Sequence, residues 1–255
     1  MKGKAIYRPK GKAGEYAAWA CNLYVGCSND CAYCYCKRGP LGTIWSTVPR
    51  LKKCFRNEEH AYSVFVKELE GNLDSLRREG LFFTFTTDPF LPETLPFTWN
   101  CILTAIGRHI PVTVLTKRAD FIDAIHVDTW IRHDYLAFGF TLTGCDDLES
   151  GASPNADRIA AMARLHGMGF RTFASLEPVI DPEKTAKIYE DLVRRSCCDL
   201  VKVGLESGRK VPYDDAALRD LHGLISSGPI PAYFKHSLTS CLGLPMEEPK
   251  DIFKL

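Results

Sequence analysis

The feature of this sequence that most constrains its fold is a regular alternation of strand patterns and helix patterns. Six short apolar or aromatic segments recur along the chain, and amphipathic helical patterns lie between them. An alternating order of this kind is typical of right-handed β-α-β units, which build a parallel sheet. Six such units predict an α/β fold, a partial (βα)6 barrel of the TIM type. The predicted strands are 19–25, 81–86, 111–116, 135–142, 169–176 and 199–204.

Helix start and stop signals support the segments between the strands. Asn57 is a predicted N-cap before two glutamates, and apolar residues then recur at helical spacing until Gly80. Ser153 and Asp181 each stand directly before a proline, which is favoured at the first helical position. The helices are predicted at about 58–79, 96–108, 154–166, 182–195 and 213–226.

One domain accounts for the chain. Its 255 residues fall in the range that α/β barrels occupy as single units, and no tract rich in Pro, Gly and Ser interrupts the pattern. We predict a basic N-terminal arm over 1–18, the barrel over 19–228 and a C-terminal extension over 229–255.

The composition argues against a membrane protein and against a disulfide-stabilised secreted fold. The sequence has no run of 18 apolar residues, and its N-terminus lacks the apolar core of a signal peptide. Eleven cysteines without a secretion signal indicate a reducing compartment, where thiols bind metals instead of forming disulfides. We therefore expect a cytoplasmic protein with no membrane partner.

Positive charge is concentrated near the N-terminus. Residues 1–56 hold eleven lysines and arginines but two acidic residues, although the net charge of the chain is only +1. Such a segment would neutralise the phosphates of a nucleic acid. It would equally serve as a solvated arm and as counter-charge for an anionic cluster, and neither interpretation excludes the other. The basic residues are Lys2, Lys4, Arg8, Lys10, Lys12, Lys37, Arg38, Arg50, Lys52, Lys53 and Arg56.

Three cysteines lie close together after the first predicted strand, in Cys27-Ser-Asn-Asp-Cys31-Ala-Tyr33-Cys34. Iron–sulfur clusters normally have four cysteine ligands, so three thiolates would bind three irons of a cubane and leave the fourth open. An open position marks a catalytic metal rather than a structural one. Two other interpretations stay open. Cys36 could complete a structural zinc site, although no second Cys-x2-Cys pair is present, and the thiols could be core residues.

Polar residues follow the predicted strands at their carboxyl ends, which face the active site in barrels of this kind. Each residue alone is a weak signal, because Thr-Asp-Pro is also an ordinary turn sequence. Their recurrence at successive strands predicts a shared site. The residues are Thr86, Thr87, Asp88, Thr116, Lys117, Thr141, Ser175, Glu177, Glu206 and Ser207.

The spacing of the cysteines, with an aromatic residue directly before Cys34, resembles the signature of radical S-adenosylmethionine (radical SAM) enzymes. Further short motifs are similar to the spore photoproduct lyase branch of that superfamily, over about residues 20 to 207. Only the cysteine motif is specific by itself. The motifs are Tyr24-Val-Gly-Cys27, Cys31-Ala-Tyr33-Cys34-Tyr35, Thr87-Asp88-Pro89 and Thr116-Lys117.

The resemblance implies a radical SAM core fold with two cofactors. Cys27, Cys31 and Cys34 would bind a [4Fe-4S] cluster, and S-adenosylmethionine would occupy the open iron. A flavodoxin- or ferredoxin-like electron donor would reduce the cluster, and cleavage of the cofactor would release a 5′-deoxyadenosyl radical. The residues that would line the cofactor pocket or contact the cofactor are Tyr33, Tyr35, Thr87, Asp88, Lys117, Thr141 and Glu177.

One position departs from the lyase pattern. The lyase donates a hydrogen atom from a cysteine three positions before the aspartate of this motif, and Phe85 stands at that position. Phenylalanine can neither donate this hydrogen atom nor form a thiyl radical, so direct repair of a thymine dimer by the lyase route is not expected. Another thiol would have to reach the pocket, and the candidates are Cys36, Cys54, Cys101, Cys145 and Cys241.

The predicted function is therefore a radical SAM enzyme that cleaves S-adenosylmethionine reductively and abstracts hydrogen from an unidentified substrate, with nucleic acid as one candidate. The alternative is a non-catalytic nucleic-acid-binding module stabilised by zinc or by a cluster. That alternative explains the basic residues and the cysteines, but it does not explain six βα units with polar strand ends.

Overall fold

The fold is built on one large sheet and one small strand pair. The computed structural model describes residues 4–38, 42–125, 133–208 and 212–255, so Lys2 lies outside the described residues. The strands are β1 (Ile6–Tyr7), β2 (Ala20–Cys21), β3 (Tyr24–Val25), β4 (Arg50–Leu51), β5 (Leu81–Phe83), β6 (Val112–Thr116), β7 (Leu136–Thr141), β8 (Arg171–Val179), β9 (Leu200–Leu205) and β10 (Ala232–Phe234).

The large sheet has the order β1-β2-β5-β6-β7-β8-β9-β10, and β3 pairs with β4. β1 runs antiparallel to β2, while every later neighbour in the large sheet is parallel. The helices are α1 (Glu58–Glu70), α2 (Leu73–Glu79), α3 (Leu95–Ile106), α4 (Phe121–Ala124), α5 (Asn155–Gly167), α6 (Pro182–Arg195), α7 (Asp215–Ser226) and α8 (His236–Leu242).

The predicted fold class, a partial parallel barrel, is confirmed. Each of the six predicted strand segments contributes a strand to the parallel part of the sheet, in chain order. β10 adds a parallel strand that the sequence did not predict, and it lies in the segment predicted as a C-terminal extension. Its three residues are too few for a periodic pattern to register.

Two predicted elements are divided in the structure. The single helix predicted over 58–79 is α1 followed by α2, because Asn72 turns its side-chain Nδ2 back to the Glu68 carbonyl at 2.7 Å. Gly71, just before it, is also a poor helix former. The strand predicted over 19–25 is β2 followed by β3, which pairs with β4 outside the large sheet.

The start of α5 also differs from its prediction. Pro154 takes the cap position and the helix begins at Asn155. Ser153 does not cap the helix, since its Oγ accepts a hydrogen bond from the Ala119 N–H at 2.9 Å.

The core lies between the sheet and its covering helices. Every residue of β7 and β9 is buried, as expected for parallel strands that are covered on both faces. Stacked aromatic rings such as Phe90 and Phe121, 4.1 Å apart, fill the layer beneath the helices. No helix in the described ranges is both long enough and apolar enough to cross a membrane.

Residues 4–18, predicted as a basic arm, pack against the barrel. The Glu68 carboxylate accepts the backbone N–H groups of Lys4, Ala5 and Ile6 at 2.6 to 2.9 Å. Arg8 pairs with Glu79 at 2.7 Å, and its guanidinium lies 4.2 Å from the centre of the Trp19 ring. The backbone of this segment is therefore anchored, although Lys10 and Lys12 stay exposed.

Candidate active site

A cavity of about 470 Å³ opens at the carboxyl ends of the parallel strands, where the sequence predicts a shared site. The N-terminal segment, the cysteine loop (residues 26–36) and the ends of several strands form its walls. All ten predicted cluster and cofactor residues line it. They are Cys27, Cys31, Cys34, Tyr33, Tyr35, Thr87, Asp88, Lys117, Thr141 and Glu177.

The cysteine loop is held on both sides by backbone hydrogen bonds. The Gly26 N–H donates to the Thr86 carbonyl at 3.1 Å, and the Cys27 N–H donates to the Ser46 carbonyl at 3.0 Å. On the other side, the Ala32 N–H donates to the Leu148 carbonyl at 2.8 Å. The loop that carries the three thiols is thus fixed against the strand ends.

The three thiols have different electrostatic surroundings. Burial raises the pKa of Cys27 to about 12, with the Asp88 carboxylate adding to the shift. Burial also raises the pKa of Cys31, whereas a hydrogen bond from Cys36 lowers the pKa of Cys34 below its usual value. Within the described residues, no group of three or more His, Cys, Asp or Glu side chains is gathered tightly enough to hold a single metal ion.

The Asp88 carboxylate connects the cysteine loop to two strand ends. It accepts hydrogen bonds from Asn29 Nδ2 at 2.8 Å, Thr116 Oγ1 at 2.7 Å, the Lys117 N–H at 2.7 Å and the Phe90 N–H at 3.0 Å. Four protein donors occupy the sites that a carboxylate offers. Its visible role is to brace this wall of the cavity, and its predicted contact with the cofactor stays a prediction.

A buried ion pair supports Tyr33 from behind. The Tyr33 hydroxyl donates to Glu149, which accepts in turn from the Arg158 guanidinium. Arg158 also donates to the Thr141 carbonyl at 2.6 Å. Burial and the Glu149 charge raise the pKa of Tyr33 well above its usual value. Sequence reasoning missed Glu149 and Arg158, because no local pattern links them to the cysteine loop.

Charged and polar side chains also converge around Glu177, on another part of the cavity wall. Lys235 Nζ lies 2.7 and 3.0 Å from the two Glu177 oxygens and 3.6 Å from Glu15. The Tyr16 hydroxyl donates a hydrogen bond to Glu177, and a second hydrogen bond of 2.8 Å joins it to the Ser175 hydroxyl. Burial, followed by the Glu177 charge, raises the pKa of Tyr16 well above its usual value. Of this group, the sequence identified only Ser175 and Glu177.

Phe85 lines the cavity next to Cys36, one of the five cysteines that could replace the hydrogen-donating cysteine of the lyase. Of the five cysteines considered, Cys36 lines the cavity, and its Sγ lies 3.5 Å from the Phe85 carbonyl. Cys101 and Cys145 are buried elsewhere, and Cys54 and Cys241 are exposed. The Tyr35 hydroxyl donates to the same carbonyl.

Two buried polar atoms on the cavity wall are free to bind a ligand. Among the described residues, Asn29 Oδ1 and Thr87 Oγ1 are the buried side-chain atoms without a hydrogen-bond partner. Buried polar groups are rarely left unsatisfied in folded proteins. Both residues line the cavity next to the cysteines, so this wall has the thiols and the unused polar atoms that a cluster with a polar cofactor requires.

No protein-family model matches the chain, and no curated protein matches it by sequence. Solved structures do match. A single-site mutant of spore photoproduct lyase superposes with a TM-score of 0.64 at 15% identity, covering 89% of this chain and 78% of that one. A doubly substituted mutant of the lyase, with bound AdoMet and dinucleoside spore photoproduct, gives 0.60 at 16% identity, with 87% and 65% covered.

SuiB of Streptococcus suis also has a similar structure, with a TM-score of 0.54 at 11% identity, covering 85% of this chain and 50% of that one. At these identities the likeness concerns the fold. The resemblance to the spore photoproduct lyase branch that the sequence predicts is thus confirmed at the level of the fold.

Proposed function

We propose that this protein is a radical SAM enzyme, which binds a cubane iron–sulfur cluster through Cys27, Cys31 and Cys34 and cleaves S-adenosylmethionine reductively. One observation carries the proposal. The three thiols share a single cavity with all seven predicted cofactor residues, at the carboxyl ends of the parallel strands. The match to a lyase structure with bound AdoMet supports the same conclusion.

The cluster and the cofactor together would supply a 5′-deoxyadenosyl radical that abstracts a hydrogen atom from a substrate. The protein's part is to bind, orient and shield these groups. Asn29 Oδ1 would accept a hydrogen bond at the polar end of the cofactor, beside the thiols, and Thr87 Oγ1 would accept or donate one. Lys117, whose Nζ lies 5.6 Å from the centre of the Tyr33 ring, would pair with the cofactor carboxylate.

The part of the cavity wall around Glu177 would orient the remainder of the cofactor. Lys235 and Tyr16 donate hydrogen bonds to the Glu177 carboxylate and fix its position. From there the carboxylate would accept hydrogen bonds from hydroxyl or amino groups of the cofactor. Tyr33 would form an apolar wall whose orientation Glu149 sets. Phe85 would line the pocket with its aromatic ring but could not donate a hydrogen atom to the substrate radical. In this respect the reaction would differ from that of the lyase.

The proposal predicts the metal content of the protein and the residues on which it depends. After anaerobic reconstitution, wild-type protein should contain about four irons and four sulfides per chain, as one cubane requires. Replacing Cys27, Cys31 and Cys34 together with alanine should abolish the cluster, whereas Cys36→Ala should retain it. Iron and sulfide analysis with absorbance spectroscopy measures both. If the triple variant kept a full iron content while the Cys36→Ala variant lost its iron, the ligands would be wrongly assigned.

A further inference from the structure

The outer side of the cysteine loop is covered by one short segment. Residues 42–56, the cover segment, run from beyond the loop to the start of α1 and include β4. The Cys27 N–H donates to the Ser46 carbonyl, and a Cβ added to Gly26 would lie 2.7 Å from that oxygen. The cover segment is therefore in direct contact with the loop that holds the first proposed cluster ligand.

The cover segment presents apolar side chains to solvent. Ile44 is 48% exposed and Val48 59%. These are two of the six large hydrophobic side chains that are exposed in the described part of the chain. Two large aliphatic side chains exposed within five residues of each other indicate an interaction surface.

The same segment is positively charged. It contains four basic residues and no acidic residue, and the side chains of Arg50, Lys53 and Arg56 are exposed. Lys52 is used internally, since it donates to the Lys4 carbonyl. The nearby Asp30 is neutralised by Lys37 at 2.6 Å. Glu58 and Glu59 at the start of α1 are the adjacent exposed acids, and Glu58 accepts a hydrogen bond from the Tyr24 hydroxyl. An acidic partner would be attracted to this face.

We propose that the cover segment is the docking surface for an acidic, one-electron carrier protein that reduces the cluster. The inference rests on the proposed function, because reductive cleavage requires one electron from outside the chain. The reduced carrier loses one electron, the cluster gains it, and no bond or proton changes at this step. The Ser46–Cys27 contact places the docked carrier within a short backbone path of a cluster ligand.

The surface fits a protein better than a nucleic acid. The exposed apolar residues Ile44 and Val48 are aliphatic and offer no ring on which a base can stack, and the aromatic Trp45 between them lines the cavity. Single-stranded nucleic acids are bound by aromatic platforms within basic grooves. Apolar residues among arginines are typical of protein interfaces. Nucleic acid, which the sequence suggested for these charges, is therefore the competing outcome of the test.

The test compares two charge-reversal variants with wild-type protein. One carries Arg50→Glu, Lys53→Glu and Arg56→Glu. The control carries Lys67→Glu, Lys187→Glu and Lys250→Glu, which changes the net charge equally at exposed sites outside the cover segment. Each protein is titrated with an acidic flavodoxin and with a single-stranded oligonucleotide at low and high salt. The release of 5′-deoxyadenosine is then measured with reduced flavodoxin and, separately, with dithionite.

The inference predicts that the cover-segment variant binds flavodoxin about tenfold more weakly, and loses flavodoxin-driven turnover to a similar extent. Its dithionite-driven turnover and iron content should equal those of wild type, and the control should behave as wild type in every assay. Carbodiimide cross-links between wild-type protein and flavodoxin should include Lys53. These cross-links test the inference even if the variant fails to fold.

Three results would overturn the inference. The first is flavodoxin binding and turnover that do not respond to the cover-segment changes. The second is loss of oligonucleotide binding alone, which would assign the surface to nucleic acid. The third is cross-links confined to other faces. A wild-type protein that yields no 5′-deoxyadenosine even with dithionite would instead contradict the proposed function, so the two failures are distinguishable.

Discussion

Arg158 shows how a single residue far from the motif supports the site. Its guanidinium and the Glu149 carboxylate are both 0% exposed, and they face each other behind Tyr33. Removing one partner of a buried pair leaves an uncompensated charge in the core. Exposed pairs contribute little by comparison.

We predict that Arg158→Met lowers the free energy of unfolding by about 3–5 kcal/mol. The matched control is Arg164→Met on the same helix, since Arg164 forms an exposed pair with Asp123, and it should lower the value by at most about 1 kcal/mol. Urea denaturation measures both. Similar losses in the two variants would mean that the buried pair does not stabilise this wall.

Lys202 is a second residue whose burial has a measurable consequence. Burial, reinforced by the positive charge of Lys235, lowers its pKa to about 8, although Asp251, Glu177 and Glu15 act in the opposite direction. Its Nζ lies 5.4 Å from the Tyr16 ring centre and 5.6 Å from that of Phe173.

The sign of the pH dependence follows from linkage. Below pH 8 Lys202 is protonated in both the folded and the unfolded chain. The folded state then carries the full free-energy cost of burying the charged ammonium group. Between about pH 8 and 10.4 the unfolded chain binds more protons, and the contribution of this residue to stability rises with pH.

We expect Lys202→Met to be more stable than wild type near pH 7, with a difference that shrinks towards pH 10. Lys235→Met should be less stable than wild type, because it leaves Glu177 and Glu15 without their cation. Unfolding free energies at several pH values measure these differences. A Lys202→Met variant that is destabilised near pH 7 would refute the account of this residue.

At the scale of elements, the packing of the cysteine loop depends on Gly26. Its φ of +97° is a conformation that favours glycine, and an added Cβ would lie 2.7 and 2.8 Å from the carbonyl oxygens of Ser46 and Val48. Both contacts are with backbone atoms, which cannot rotate away as a side chain can. The turn that follows β3 therefore requires glycine at this position.

Gly26→Ala should destabilise the fold by about 1–3 kcal/mol and reduce the iron retained after reconstitution. Gly223→Ala in α7 is the control, because an added Cβ there meets no atom within 4 Å, and the change should stabilise the helix by up to about 1 kcal/mol. Thermal unfolding and iron analysis test both variants. Normal iron content in a stable Gly26→Ala protein would show that the loop tolerates movement.

Elements with a strong local pattern were predictable, and short ones were not. α6 begins at Asp181-Pro182 as the cap chemistry indicates, and Asp181 accepts from the N–H groups of Glu183 and Lys184. β10 has three residues and is defined by its pairing with β9, which is a tertiary contact. The break between α1 and α2 likewise depends on one side-chain hydrogen bond, which cannot be predicted from the spacing of apolar residues in the sequence.

At the scale of the whole molecule, the parallel topology explains why the site could be predicted in part. Strand ends meet at one edge of a parallel sheet, so polar residues after successive strands come together wherever the order holds. The partners that reach this edge from elsewhere carry no such signal. Tyr16 comes from the N-terminal segment and Lys235 from the end of β10, and only the closed fold brings them to Glu177.

The activity that we propose for this cavity is the reductive cleavage of S-adenosylmethionine with an electron from a cysteine-bound cluster. The most direct measurement is the formation of 5′-deoxyadenosine by anaerobically reconstituted protein with dithionite and S-adenosylmethionine, followed by chromatography. We predict slow release from wild-type protein without any substrate, and none from the variant in which Cys27, Cys31 and Cys34 are alanine. Wild-type protein that carries its full cluster and never forms 5′-deoxyadenosine would contradict the claim.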